Sequence, residues 1–114
     1  MDFACKKVNI EEILKCGFSL TKKELEILKY FLKNSNKEFT TFDLSKKLNL
    51  DITTCQKACK KLFKVEILEK SQKNLEKGGY LYYYRIISKS IIRKKVLNIV
   101  ENWIKKVEDE FCKW

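Results

Sequence analysis

Apolar side chains recur every three or four residues in three early segments: Ile10, Ile13 and Leu14; Leu25, Leu28, Tyr30, Phe31 and Leu32; then Phe42, Leu44 and Leu48. That spacing is the mark of helices with one buried side. Each segment opens on a start signal. Asn9 stands three residues before Glu12, and Thr21 three before Glu24, the spacing of a capping box. Thr40 can cap the third helix, with Asp43 in its first turn, where a negative charge suits the helix dipole. Gly17 and the breaker "NSNK" from Asn34 mark the first two ends. The pattern predicts helices over residues 9–16, from Thr21 to Asn34, and from Thr40 to about Asn49. Phe39 fits a very short strand just before the third.

A fourth helix follows within three residues. Asp51 is placed as an N-cap for "ITTCQKACKKLFK". On a helical wheel Ile52, Cys55, Ala58, Cys59 and Leu62 gather on one side. Thr53, Lys57, Lys60, Lys61 and Lys64 lie on the other, with Gln56 at the edge. A short helix, a tight turn and a second helix that is apolar inward and basic outward make a helix-turn-helix layout.

The periodicity then shortens. "VEILEKSQ" and "YLYYYRII" read as two strands, joined through Gly78 and Gly79, which permit the positive backbone angles of a hairpin turn. Tyr80, Tyr82 and Tyr84 face one way along the second strand, and Leu81, Tyr83 and Arg85 the other. One tyrosine row is expected to pack on the helices and the other to cover the outer face. The hairpin tip, with Lys73 and Lys77 in the loop, is then the contact element; a tyrosine platform for stacking bases is the alternative. From Ser88 onward no breaker occurs. Ile92, Val96, Ile99, Val100, Trp103, Val107 and Phe111 form one stripe on a helix of roughly 30 Å. A core of this size cannot cover the whole stripe, so the expected partner is the same stripe of a second chain, helped by the first helix. The competing arrangement folds the helix back on its own core.

Composition narrows the function. The chain has 114 residues, the size of one domain. We expect a single winged-helix domain over 1–114, made of a helical extension (1–19), a core (20–87) and a C-terminal helix (88–114). The net charge of +10 favours a polyanionic partner, nucleic acid before membrane. No apolar run is long enough to cross a bilayer. Five cysteines (Cys5, Cys16, Cys55, Cys59 and Cys112), an odd number with no secretory signal before them, fit a reduced cytoplasm. Cys55 and Cys59 share a helix face and read as buried small hydrophobes, not as a metal site, because the chain has no His. No cofactor is expected. Without His or a glycine-rich phosphate loop, and with its carboxylates scattered, the chain does not read as an enzyme. A redox switch through Cys5, Cys16 or Cys112 requires that they meet across a dimer; packing is the favoured role.

At "LTKKELEILKYFLKN…FTTFDLSKKLNLDITTCQKACKKLFKVEILEK…KGGYLYYYRI" the chain resembles the small archaeal winged helix-turn-helix regulators, whose DNA-binding domain is shared with TrmB-type and MarR-type transcriptional regulators. The fold class expected is therefore mainly α with a small β-hairpin: a winged helix-turn-helix with a flanking N-terminal helix and a long C-terminal dimerisation helix. The resemblance implies a homodimer and places the recognition helix at Asp51 to Lys64 and the wing tip at Lys73 to Gly79. It puts base- or backbone-reaching positions at Thr53, Thr54, Gln56, Lys57 and Lys60. Glu66 departs from the family, which often has Gly there. The large ligand domain of sugar-sensing members is missing, so no small-molecule effector follows.

The function expected is double-stranded DNA binding by a homodimeric transcriptional regulator. Lys57, Lys60, Lys61 and Lys64 meet phosphates. Thr53, Thr54 and Gln56 read base edges, with Gln suited to adenine. Lys73 and Lys77 straddle the backbone beside the minor groove. No Arg lies in the recognition helix, so guanine readout is weak and A·T-rich sites are favoured. A winged-helix module that joins a larger protein assembly is the alternative, and RNA binding a variant that a deep A-form groove disfavours.

Overall fold

The computed structural model describes residues 2–3, 6–7 and 9–114; Cys5 lies outside them. Two short antiparallel strands, β1 (Asp2–Phe3) and β2 (Lys6–Lys7), precede the first helix, where the sequence pattern showed no element. Helices α1 (Ile10–Gly17), α2 (Lys22–Lys33), α3 (Thr41–Leu48) and α4 (Ile52–Lys64) follow. The antiparallel hairpin β3 (Leu68–Asn74) and β4 (Tyr80–Ile86) leads into the long helix α5 (Lys89–Cys112). This is a winged helix, mainly helical, with a flanking first helix and a long last one.

The start signals at Asn9, Thr21 and Thr40 each cap their helix. Asn9 Oδ1 accepts from the backbone N–H groups of Glu11 and Glu12, but among the described residues Glu12 does not return the bond that would close the expected capping box. Thr21 with Glu24 and Thr40 with Asp43 each close a full capping box. Asp51 differs: it occupies the N-cap position of α4 in extended backbone, but its side chain makes no cap bond. Gly17 is the last residue of α1, the stop the pattern expects, without taking the left-handed conformation itself. The left-handed residue after α1 is Ser19 (φ 55°), and Gly17 also lets α5 come close. A Cβ at Gly17 would lie 3.2 Å from two carbons of Ile99. Asn49 ends α3 in the left-handed region (φ 52°), which Asn tolerates better than most residues.

The core lies where α2, α3 and α4 converge under the base of the hairpin. Ile27, Leu28, Phe31, Leu44, Leu62 and Ile67 are fully buried. Phe39 bridges to β4, exchanging two backbone hydrogen bonds with Tyr84 (2.9 and 2.8 Å), while its ring packs on Tyr30 and Phe31. The very short strand expected at Phe39 is this bridge.

The tyrosine row needs a correction. Leu68, Tyr84 and Ile86 at the base of the hairpin are buried, but Tyr80 and Tyr82, further out, are 54% and 38% exposed. The wing outruns the helices beneath it, so only the last tyrosine of the row reaches the core.

The α5 stripe divides as well. Ile92 is buried, and Val96 and Ile99 pack against the core, so this end folds back on its own chain beside α1. Val100 and Trp103 are half-buried. Val107 and Phe111 are 53% and 62% exposed, joined by Ile104 and Trp114. Stretched by this arm, the molecule measures 65 × 24 × 23 Å. Among the described residues no helix is long and apolar enough to cross a membrane.

Candidate nucleic-acid interface

Helix α4 sorts its side chains into two arcs. Cys55, Ala58, Cys59 and Leu62 are buried; Thr53, Gln56, Lys57, Lys60, Phe63 and Lys64 are exposed. No carboxylate occurs between Asp51 and Glu66, so the only charges on the outer arc are positive. Within the described residues Lys57, Lys60 and Lys64 meet no carboxylate. The inner arc is inert: burial, and then Cys55, pushes the Cys59 thiol up to about 12, and burial, then Asp51, raises Cys55. Both cysteines therefore stay protonated and act as apolar filler. Among the described residues no His, Cys, Asp and Glu cluster could hold a metal. Cys16 and Cys112 are exposed free thiols.

Lys61 does not share the outer arc. Its Nζ donates to Glu24 Oε1 at 3.0 Å and to the Ser19 carbonyl. One helical turn of drift carries it to the edge facing α2, where Glu24, 13% exposed, receives it. Burial pushes the Glu24 carboxyl up, but the Thr21 backbone N–H and the Lys61 ammonium outweigh it and hold the group below its ordinary value. Thr54, seven residues before Lys61, lies on the same edge and is half-buried.

The wing presents two faces. Lys73 sits on the face away from α4: its Nζ is 3.5 Å from Glu38 and 4.4 Å from the centre of the Tyr83 ring. Lys77 lies exposed in the turn that Leu75 and Gly79 close, with Gly78 and Gly79 at φ 91° and 82° as the turn requires. On the face toward α4, Lys70 Nζ lies 4.7 Å from the Phe63 ring centre and 4.5 Å from that of Tyr82. It thereby joins wing to helix.

A model of the DnaD N-terminal domain matches residues 10–107, from the start of α1 far into α5. The chain belongs to the DnaD N-terminal domain family. This DnaD N-terminal domain is 43% identical to a protein of Methanosarcina mazei Go1 described as a "possible transcriptional regulator", over all of this chain and 95% of that one, with a TM-score of 0.91. The ST1889 protein of Sulfolobus tokodaii shares the fold (TM-score 0.71) at 21% identity, over 85% of this chain and 93% of its own. Among curated proteins the domain is similar to MJ1082 of Methanocaldococcus jannaschii, 29% identical over 90% of this chain and 83% of that protein.

The sequence pattern assigned no role to Phe63 and Lys70, beside the cationic arc; it put Phe42 on the apolar side of α3 and Tyr80 and Tyr82 in the tyrosine row, yet all three are exposed there. A signal was present for some. Phe63 is seven residues after Gln56, hence on the same edge of α4. Lys70 pairs across the hairpin with Tyr84, so it shares a face with the even-numbered tyrosines. How far the wing outruns the helices was not readable from spacing.

Proposed function

We propose that this chain is a transcriptional regulator that binds double-stranded DNA as a homodimer, its α4 in the major groove. One observation carries the reading: α4 shows an unbroken exposed row of Lys57, Lys60 and Lys64, with no acidic side chain on the helix. Such a row meets phosphates and releases counterions. Thr53 and Gln56, exposed beside it, reach base edges. Lys77 at the wing tip takes backbone, and Lys73 joins it only by leaving Glu38. Lys61 positions α4 on α2 and gives no phosphate contact; Thr54 gives at most a marginal one.

The similarity to the Methanosarcina protein supports regulation of transcription. We assign the recognition helix and wing to the TrmB-type and MarR-type pattern, and the chain to one domain working in the cytoplasm. The dimer uses the outer part of α5, through Val100, Trp103, Val107 and Phe111; Ile92, Val96 and Ile99 are spent in the chain's own core. Two α4 helices would then read half-sites about 34 Å apart.

The test is fluorescence anisotropy on duplex DNA over a salt series. Binding should weaken steeply with salt, and Lys57→Ala with Lys60→Ala should lower the slope by about 2, roughly one per phosphate contact. Absence of binding at low salt would end the reading.

A further inference from the structure

Between α4, the start of α3 and the wing runs a groove of about 360 Å³, within the ~300–1,000 Å³ usual for ligand sites. Its walls are aromatic: Phe42 and Tyr80 are 58% and 54% exposed, and Tyr82 meets Tyr80 edge-to-face with ring centres 5.1 Å apart. Its cations are Lys60 and Lys70, and no carboxylate lines it. Gln56 supplies an amide that can both donate and accept.

Leaving three large rings in water is unfavourable for a surface with no use for them. Water-exposed aromatics bounded by lysines match the needs of a nucleotide, whose flat base stacks while its phosphate takes the cation. In a fully paired duplex each base face is already covered by its neighbours, so rings in a groove find nothing to stack on. An unpaired base supplies the missing surface. The groove also shares Lys60 with the cationic row of α4, so one strand can follow both.

We propose that this groove seats one unpaired nucleotide of a DNA strand, its base against Tyr80 and Phe42, its phosphate at Lys60 and Lys70, and its edge read by Gln56. The idea rests on the DNA-binding reading but fails separately from it. The base would stack on Tyr80 because Lys70 already covers one face of Tyr82.

The experiment compares three probes by anisotropy at one salt concentration: a paired duplex, the same duplex with one extrahelical thymidine, and free thymidine monophosphate as competitor. The bulged duplex should bind on the order of tenfold tighter, the value of one stacked base. Tyr80→Ala should erase that gain and leave the paired duplex unchanged, while Tyr80→Phe keeps it. Competition by the mononucleotide against the bulged duplex alone would support the groove as the seat. Equal affinity for the two duplexes, or a Tyr80→Ala loss shared equally by both, would overturn the proposal and leave the regulator reading intact. Bulge binding without paired-duplex binding would keep the groove and overturn the regulator reading. Absence of binding to either would overturn both.

Discussion

Glu66, just past the Val65 C-cap of α4, holds a left-handed backbone (φ 64°), a conformation that costs an L side chain roughly 1–2 kcal/mol. Its return is one ion pair to Lys95 at 3.4 Å, with the Glu66 side chain 81% exposed, and such pairs contribute about 0.2–1 kcal/mol. Glycine would remove the steric cost at the price of a more flexible unfolded chain. Glu66→Gly should therefore raise stability, by up to about 1 kcal/mol, as a shift of the urea midpoint. A lower midpoint would show that the Lys95 contact outweighs the backbone. Glu24 leads to a pH effect. Its carboxyl is held below the ordinary 4.5 in the folded chain, so its stabilisation is complete above that pH and is lost as pH falls through the lowered value. Glu24→Gln should flatten the acid side of the stability curve below about pH 4.5, read by urea midpoints from neutral pH downward. Unchanged acid sensitivity would mean that other carboxylates set it. Neither feature was fully legible in sequence. Glu66 stood out as a departure from glycine, but Lys61 read as one more outward lysine, because a wheel of α4 alone contains no α2.

Elements were legible where local chemistry decides them. The capping box at Thr21, the cap at Thr40 and the glycine-tipped hairpin depend on residues within four positions, and all three formed. Thr40 is 6% exposed and its hydroxyl accepts from the Asp43 N–H at 3.1 Å. Thr40→Ala should lower stability by about 1 kcal/mol, the usual loss for an N-cap, and Thr40→Ser should recover most of it; thermal and urea unfolding would check both. No loss on Thr40→Ala would mean that α3 is held by Leu44 packing alone. What spacing could not give was relative reach. Alternation put Tyr80, Tyr82 and Tyr84 on one face, but whether that face meets helix or water depends on where α4 ends relative to the hairpin. The α5 stripe was ambiguous for the same reason: its period was clear, and the fraction consumed by α1 was not.

On the scale of the molecule, one end is a compact helical core with its wing, and the other a projecting arm. Along the arm Ile104, Val107, Phe111 and Trp114 remain between 53% and 93% exposed, an apolar surface of the kind that association covers. Sedimentation should therefore report twice the chain mass, and Phe111→Glu should return it to that of one chain while far-UV helicity is kept. A monomeric native protein would remove the dimer from the functional reading. The contact of Ile99 with Gly17 has a mechanical meaning. It seats the arm on the body before the exposed section begins. In the proposed dimer the two α4 helices would be set by the crossing angle of the two arms. A bulky residue at Gly17 would thus act as a wedge between α1 and α5, changing the angle at which the arm leaves the body.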